Sequence, residues 1–252
     1  MIRKRLIGVI TVKGGWAVQS FGYARHLPLG RPEILAENLD RWGADEILVQ
    51  CIDRGGLGPD LDLLDRISRR GLSTPLIYGG GIRSRGDAVA TIQRGADRIA
   101  IDALLHDDPD EALALAEPLG AQAVIAALPL VRRTDGLLWR DPRSGHETPL
   151  PPWLRSALGR GALSEALIID CQNEGQPGGF DEALLDGFPP TLPLIAFGGL
   201  SEPSLLRRVL SRPQVVAAGI GNVLSYREHA MQALKAQLGD LPLRPPHFEA
   251  RP

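Results

Sequence analysis

Cysteine, excess charge and long apolar runs are all scarce in this chain of 252 residues. The two cysteines, Cys51 and Cys171, fall just past predicted strands in opposite halves, which argues against a disulfide between them. Neither has a neighbouring histidine in sequence, so each reads as a buried thiol rather than a nucleophile. His26, His106, His146, His229 and His247 show no metal-ligand spacing, and no metal or other cofactor is expected. A net charge of −2 leaves no basic footprint for nucleic acid. No stretch approaches the ~18 apolar residues that cross a membrane, and no signal peptide opens the chain. The expectation is a soluble, cytoplasmic protein. What is present is enough apolar material for a large core, 44% of residues.

The most informative feature is a repeat. Residues 74–84 read TPLIYGGGIRS, and residues 192–202 read LPLIAFGGLSE. Each is an apolar run that stops at glycines and opens into a polar helix start. Such a junction leaves backbone N–H groups free at a helix N-terminus, where a phosphate can sit. Glycine pairs also permit a strand and helix to pack closely, so both readings stay open. The repeat extends further: DEILVQCIDRGGLGPDLDLLD (45–65) has a partner in SEALIIDCQNEGQPGGFDEALLD (164–186). RLIGVIT (5–11) and QAVIAAL (122–128) are each followed by a basic turn and a tryptophan, Trp16 or Trp139. Repeats of this length imply duplication of half-domains rather than a solenoid.

Predicted strands lie near 5–11, 46–50, 76–79, 98–101, 122–128, 166–170, 193–197 and 215–218. Predicted helices follow near 31–42, 59–70, 84–94, 108–118, 151–160, 181–187, 202–210 and 225–237. Ser84, Asp108 and Ser225 are candidate N-caps, and Gly43, Gly71 and Gly95 candidate stops. Strict alternation with apolar strands predicts an α/β fold, a (β/α)8 TIM barrel with its active face at the strand C-termini. The expected organisation is one barrel over 1–240, in halves of about 1–120 and 121–240, and a Pro-rich tail over 241–252.

RLIGVITVKGG, YGGGI (78–82), RGADRIAID (94–102), GQPGGFD (175–181), IAFGGL (195–200) and SYRE (225–228) resemble the cyclase subunit of imidazole glycerol phosphate synthase over nearly the whole chain. That resemblance implies a duplicated barrel holding a substrate with a phosphate at each end. It also implies ammonia delivered through the barrel from a glutaminase partner. The implied phosphate sites combine Gly80 and Gly81 with Asp102 and Ala103, and Gly198 and Gly199 with Gly221 and Asn222. Asp102 would repel a phosphate, and the family's basic residue in the first loop is here Gln19, so binding is expected to be weaker at the first site. Arg25 or His26, in an expected loop over 23–28, is either a ligand contact or a solvated position.

The family's two general acid–base aspartates correspond to Thr11 and Pro129, neither of which transfers protons near neutral pH. A third family aspartate corresponds to Cys51, and a fourth to Glu174. By contrast, the implied gate of alternating charges at the strand N-termini is retained as Arg5, Glu46, Arg98 and Glu165, with Asp97 as the acid facing a glutaminase. Such charges either gate ammonia or plug the barrel floor as mutual ion pairs. Residues 131–153 resemble the family's β-hairpin, with Asp135-Gly136 as its turn.

The opening VKGGWAVQSFGYARHLPLGRP is similar to variants of that family that lack the same aspartates. This likeness implies a subunit that passes ammonia from a glutaminase to a separate amidotransferase acting on a surface-polysaccharide sugar. Two alternatives remain: a true cyclase of histidine biosynthesis using Glu174 or Asp170 as substitute acids, and a non-catalytic barrel that binds a phosphorylated small molecule.

Overall fold

The computed structural model describes residues 3–134, 136–159 and 163–245. Strand β1 (Arg5–Lys13) runs into an antiparallel hairpin, β2 (Trp16–Phe21) and β3 (Arg25–Gly30). Then come β4 (Glu46–Cys51), β5 (Leu76–Gly79) and β6 (Arg98–Ile101). Strand β7 (Val124–Arg133) carries a second hairpin, β8 (Gly136–Arg140) and β9 (Glu147–Pro149), before β10 (Glu165–Asp170), β11 (Leu194–Phe197) and β12 (Val215–Ile220). Omitting the hairpins, eight strands pair in parallel, and β10 pairs with both β7 and β11, so the sheet closes on itself. Helices between the strands complete a (β/α)8 barrel. All eight predicted strands are present, with ends moved by a few residues.

Period-two alternation sorts the side chains into two layers. On β1, Leu6 and Ile10 face the surrounding helices, while Ile7 and Val9 face the bore. Ala100, Ala127 and Ala217 keep the bore's lining small in places, and Phe197 fills it elsewhere. Helices α1 (Pro32–Arg41), α2 (Leu61–Ser68) and α3 (Arg85–Gln93) match expectation closely. Ser84 caps α3 by accepting from Asp87 N (3.1 Å). A short α4 (Ala103–Asp107), absent from the sequence reading, follows β6.

The predicted helix over 108–118 breaks into α5 (Pro109–Ala114) and α6 (Ala116–Leu119). Pro118 has no N–H to bond the Ala114 carbonyl, which ends the first segment there. Asp108 caps α5 through Glu111 N (3.0 Å). Helices α7 (Pro152–Gly159) and α8 (Pro203–Ser211) fall as expected, whereas 181–187 forms a 3-10 turn, Glu182–Gly187. The last helix, α9 (Ala230–Gln237), starts five residues late. His229 before it is left-handed (φ 57°), a conformation no helix interior accepts, so Ser225 ends a 3-10 turn and caps nothing.

The segment 23–28, expected as a loop, is largely strand. Gly22 (φ 61°) and Tyr23 (φ 56°) reverse the chain, and Arg25–Gly30 returns along β2. In the second hairpin, Asp135 of the expected turn lies outside the described residues. Of the tail, Leu243 bridges to Lys4, and residues 246–252 lie outside the described residues. No helix among the described residues is long and apolar enough to cross a membrane.

Candidate functional site at the two ends of the barrel

At the strand N-termini, four charges close a ring. Arg5 reaches Glu46 (3.1 Å) and Glu165 (2.7 Å), and Arg98 reaches the same two carboxylates (3.3 and 2.9 Å). The ring exists because all four residues stand at or near the first inward position of their strands, β1, β4, β6 and β10. Arg98 is held further by donating to the Gln122 carbonyl (3.0 Å) and Ser164 Oγ (2.9 Å). Glu46 is 6% exposed, and burial raises its pKa despite both arginines. Its Oε2 has no hydrogen-bond partner among the described residues. The ring floors an open depression of about 820 Å³ that Asp97 also lines. Asp97 is exposed, and its Oδ2 accepts from Leu76 N (2.7 Å).

At the strand C-termini, a cavity of about 290 Å³ opens over the bore. Pro129, Cys51, Cys171, Gly80, Gly81, Asp102 and Ala103 line it, so the first predicted anion site and one of the two positions that the resemblance matches to a family aspartate come together. Thr11, the other position so matched, borders a separate, mainly apolar cavity of about 220 Å³ with Leu35, Leu39 and Trp42. Burial pushes both thiols up to about 12, which leaves them protonated and unreactive at neutral pH.

The glycine pairs are required by packing whatever they bind. A side chain at Gly80 would overlap the Cys51 carbonyl, and one at Gly198 the Asp170 carbonyl. Asp102 closes back on its own helix: Oδ1 accepts from Ala103 N (2.5 Å), the N–H expected to meet a phosphate. Burial raises the Asp102 pKa.

Gly199, Gly221 and Asn222 line a third cavity of about 150 Å³. Asn222 is already engaged there, accepting from Ser20 N (3.2 Å) and donating to its carbonyl (2.7 Å). The two predicted anion sites differ in the charge around them. Lys13, Arg54, Arg140 and Arg143 line the first cavity, whereas the titratable side chains of the second are Glu174, Glu202 and Tyr226. Arg143 is paired with Asp107 and Asp141, and Arg54 donates to loop carbonyls. Among the described residues Lys13 and Arg140 meet no carboxylate.

The two substitute acids are held by the loops they shape. Asp170 accepts from Gln172 N, Asn173 N, Asn173 Nδ2 and Asp181 N, all within 3.1 Å. Glu174 Oε2 accepts from Ser20 Oγ (2.9 Å) and Tyr23 N (3.1 Å), and burial raises its pKa. Gln19 is buried on β2 and borders none of these cavities. Arg25 is exposed, 6.0 Å above the Phe21 ring, and His26 meets Lys13 Nζ (3.3 Å).

Sequence reasoning missed Gln50 and Tyr23. Gln50 follows Glu46 and Leu48 at the inward positions of β4, a polar break in EILVQC that alternation alone exposes. Its Oε1 accepts from the Tyr23 hydroxyl (3.2 Å). Nothing in the sequence marks Tyr23, whose placement depends on the hairpin.

A family model described as "Histidine biosynthesis protein" matches residues 5–230. The chain is 30% identical over 247 residues to imidazole glycerol phosphate synthase subunit HisF of Myxococcus xanthus, covering 94% of this chain and 96% of that one. It is 30% identical over 254 residues to the subunit of the same name from Acidobacterium capsulatum, covering 98% and 100%. With the corresponding Bacillus subtilis subunit it shares 26% identity over 246 residues, 94% of this chain and 97% of that one.

Proposed function

The chain belongs to the histidine biosynthesis protein family, and from that membership we propose that it is an ammonia-conducting subunit with little or no cyclase activity. In this reading a cytoplasmic glutaminase docks on the strand N-terminal face, over the depression that Asp97 borders. Ammonia enters through Arg5, Glu46, Arg98 and Glu165 and leaves at the mouth for a sugar amidotransferase of surface-polysaccharide synthesis. The barrel itself is read as two fused halves, about 1–120 and 121–240, each with a hairpin after its first strand.

One contrast carries the reading: the charge ring is complete, and the acid–base pair at the mouth is absent. An apolar bore passes neutral ammonia far more readily than ammonium, because stripping water from an unpaired charge costs several kcal/mol or more. Ile7, Leu48, Ile77, Ile125, Leu167 and Ile195 give the bore that character. The closed ring separates this bore from the depression, so passage requires at least one ion pair to open. The mouth offers Gly80, Gly81 and Ala103 beside Lys13 and Arg140 for a phosphorylated ligand. The likeness of the first loop to aspartate-lacking variants supports a sugar as the final acceptor.

The test supplies glutamine as sole nitrogen donor to the reconstituted pair with its amidotransferase, against free ammonium as control. Arg5→Ala is expected to lower glutamine-driven transfer while sparing the ammonium-driven reaction. An equal fall in both, or no glutaminase binding at all, removes the conduit and leaves a structural plug. The competing cyclase reading draws on the relatives' names, and it requires Glu174 or Asp170 to act despite their engagement with loop N–H groups. A non-catalytic binding barrel draws on the glycine pairs, which packing alone explains.

A further inference from the structure

On β4 the inward positions run Glu46, Leu48 and Gln50, so an amide stands two layers above the charge ring. Gln50 lies opposite Gly79 of β5, and Gly79 lies opposite Ala100 of β6. These small neighbours leave open space beside the amide. That space belongs to the mouth cavity, which Gln50, Gly79 and Ala100 all line. An amide set in an apolar bore costs free energy unless its hydrogen bonds to water are replaced.

Only one side of that amide is replaced within the chain. The Tyr23 hydroxyl donates to Gln50 Oε1 (3.2 Å), and no group among the described residues accepts from Gln50 Nε2. The tyrosine is itself held in place. Its backbone is left-handed (φ 56°), a conformation that a bulky residue keeps only where surroundings impose it. Glu174 imposes it, Oε2 accepting from Tyr23 N (3.1 Å) and the carbonyl from Gly22 N (2.9 Å). With its oxygen occupied, Gln50 has two N–H donors left for whatever fills the cavity. The same cavity holds the first predicted anion seat, Gly80, Gly81 and Ala103, with Lys13 and Arg140. Gly80 follows directly on Gly79, and neighbouring strands lie about 4.8 Å apart, so one sugar spans from that seat to Gln50.

We propose that Gln50 is a specificity-determining contact of the mouth, donating to a carbonyl or hydroxyl oxygen of a sugar monophosphate whose phosphate sits at Gly80, Gly81 and Ala103. Tyr23 is the positioning residue, because its hydroxyl occupies the amide oxygen and so presents the nitrogen to the ligand. The cavity, about 290 Å³, lies at the small end of ligand pockets, which run from roughly 300 to 1,000 Å³. That size suits one sugar with its phosphate and not a nucleotide-linked sugar. The inference rests on the reading of the mouth as a seat for a phosphorylated ligand, and it names the class that the seat selects.

Isothermal titration calorimetry compares inorganic phosphate with ribose 5-phosphate on intact protein, Gln50→Met and Tyr23→Phe. Methionine keeps the length of glutamine and lacks its donors. Intact protein is expected to hold ribose 5-phosphate at least about tenfold more tightly than phosphate. Gln50→Met should lower affinity for the sugar phosphate about three- to tenfold, as loss of a neutral hydrogen bond does, and leave phosphate within about twofold. Tyr23→Phe frees the amide to turn, and should cost the sugar phosphate about two- to fourfold with phosphate again unchanged. Ribose 5-phosphate bound by Gln50→Met as tightly as by intact protein overturns the proposal. So does an equal loss for both probes, which reports a disturbed anion seat, or an intact protein that binds ribose 5-phosphate no better than phosphate. An unchanged Tyr23→Phe overturns the orienting role of Tyr23. If intact protein binds neither probe, the phosphorylated-ligand reading falls and Gln50 with it, whereas phosphate bound without a Gln50 effect leaves that reading standing.

Discussion

The two ends of the barrel treat their carboxylates in opposite ways. At the strand N-termini, Glu46 and Glu165 face arginines across the axis, and the ring is paired side chain to side chain with Glu46 Oε2 left over. At the mouth, Asp102 accepts from the first N–H of its own helix, and Asp170 and Glu174 accept from backbone N–H groups of loops. A carboxylate engaged with backbone amides holds a loop in shape, and it is poorly placed to trade protons with a ligand. One end pairs its carboxylates with arginines across the axis; the other turns its charges to architecture.

The largest expected effect tests that contrast directly. Given saturating ammonium and the phosphoribulosyl substrate of histidine biosynthesis, the protein should form imidazole glycerol phosphate at background. Lack of one general acid or base costs roughly 10²–10⁴-fold, and the family resemblance puts Thr11 and Pro129 where the two aspartates would stand. Product formation near one turnover per second ends the comparison, because the mouth would then retain its chemistry. Thr11→Asp with Pro129→Asp sharpens it. That double variant can restore turnover only if the carboxylates reach one ligand, and Thr11 and Pro129 line different cavities.

The ring is the next point to break. Arg98→Ala leaves Glu46 and Glu165 sharing Arg5 alone, and it strips the Gln122 carbonyl and Ser164 of a donor. A fully buried pair loses about 3–5 kcal/mol when one partner goes; partial exposure of this ring reduces that to roughly 2 kcal/mol. Arg5→Ala is expected to cost less, because the Arg5 side chain is 25% exposed and among the described residues its ion pairs are the two in the ring. Urea unfolding of both variants measures the difference. Equal losses would mean that the anchors on Arg98 add nothing.

Most of the frame could be read from the sequence, and the reasons are local. Parallel strands buried on both faces leave continuous apolar runs such as ALIID and VVAAGI, and glycine stops such as Gly43 and Gly71 mark helix ends. The ring's four members were legible through the resemblance to the cyclase family, and period-two alternation accounts for why all four point inward. The mouth was not. The hairpin over 16–30 hides among Gly22, Tyr23 and Pro28, residues that read as loop until β2 and β3 are seen to pair. The roles of Glu174 and Asn222 depend on Ser20, more than 150 residues away in the chain. Asp102 looked like a repulsive neighbour of a bound phosphate, whereas its own N-cap bond makes it a rival for the same N–H.

Asp102→Asn separates those two descriptions. Asparagine can still accept from Ala103 N, so the cap survives while the charge disappears. Inorganic phosphate is expected to bind the mouth several-fold more tightly in this variant, roughly in line with removing one unit charge at partly screened distance. Stability follows from the raised pKa. A carboxyl whose folded pKa lies above its unfolded value weakens the fold in its charged form. That cost is full above the folded pKa and vanishes below the unfolded value, near 4. Asp102→Asn should therefore gain stability at pH 7.5, and the gain should shrink steadily as pH falls toward 4. A gain independent of pH would locate its cause outside the carboxylate's charge.

The smallest effect concerns the rim of the ring. Asp45 and Asp97 both precede an inward-facing ring residue, and each accepts from a strand N–H, Leu6 N (2.8 Å) and Leu76 N (2.7 Å). Asp45 is neutralised inside the protein by the buried Lys235 (2.7 Å), whereas Asp97 is exposed and meets no cation among the described residues. Structure alone accounts for Asp45, whereas the charge of Asp97 is open to solvent. Asp97→Asn keeps an acceptor for Leu76 N and removes only the charge, so the fold should change by no more than about 0.5 kcal/mol. Association with a glutaminase should slow by about two- to fivefold at low salt, and the difference should fade above physiological ionic strength, where exposed charges are screened. Stopped-flow association at two salt concentrations reads this. Asp97→Lys is the weaker test, because losing the Leu76 bond would disturb the rim whether or not a partner recognises it. If Asp97→Asn associates at the unaltered rate in low salt, Asp97 serves its strand just as Asp45 does, and the docking face must be sought elsewhere around the depression.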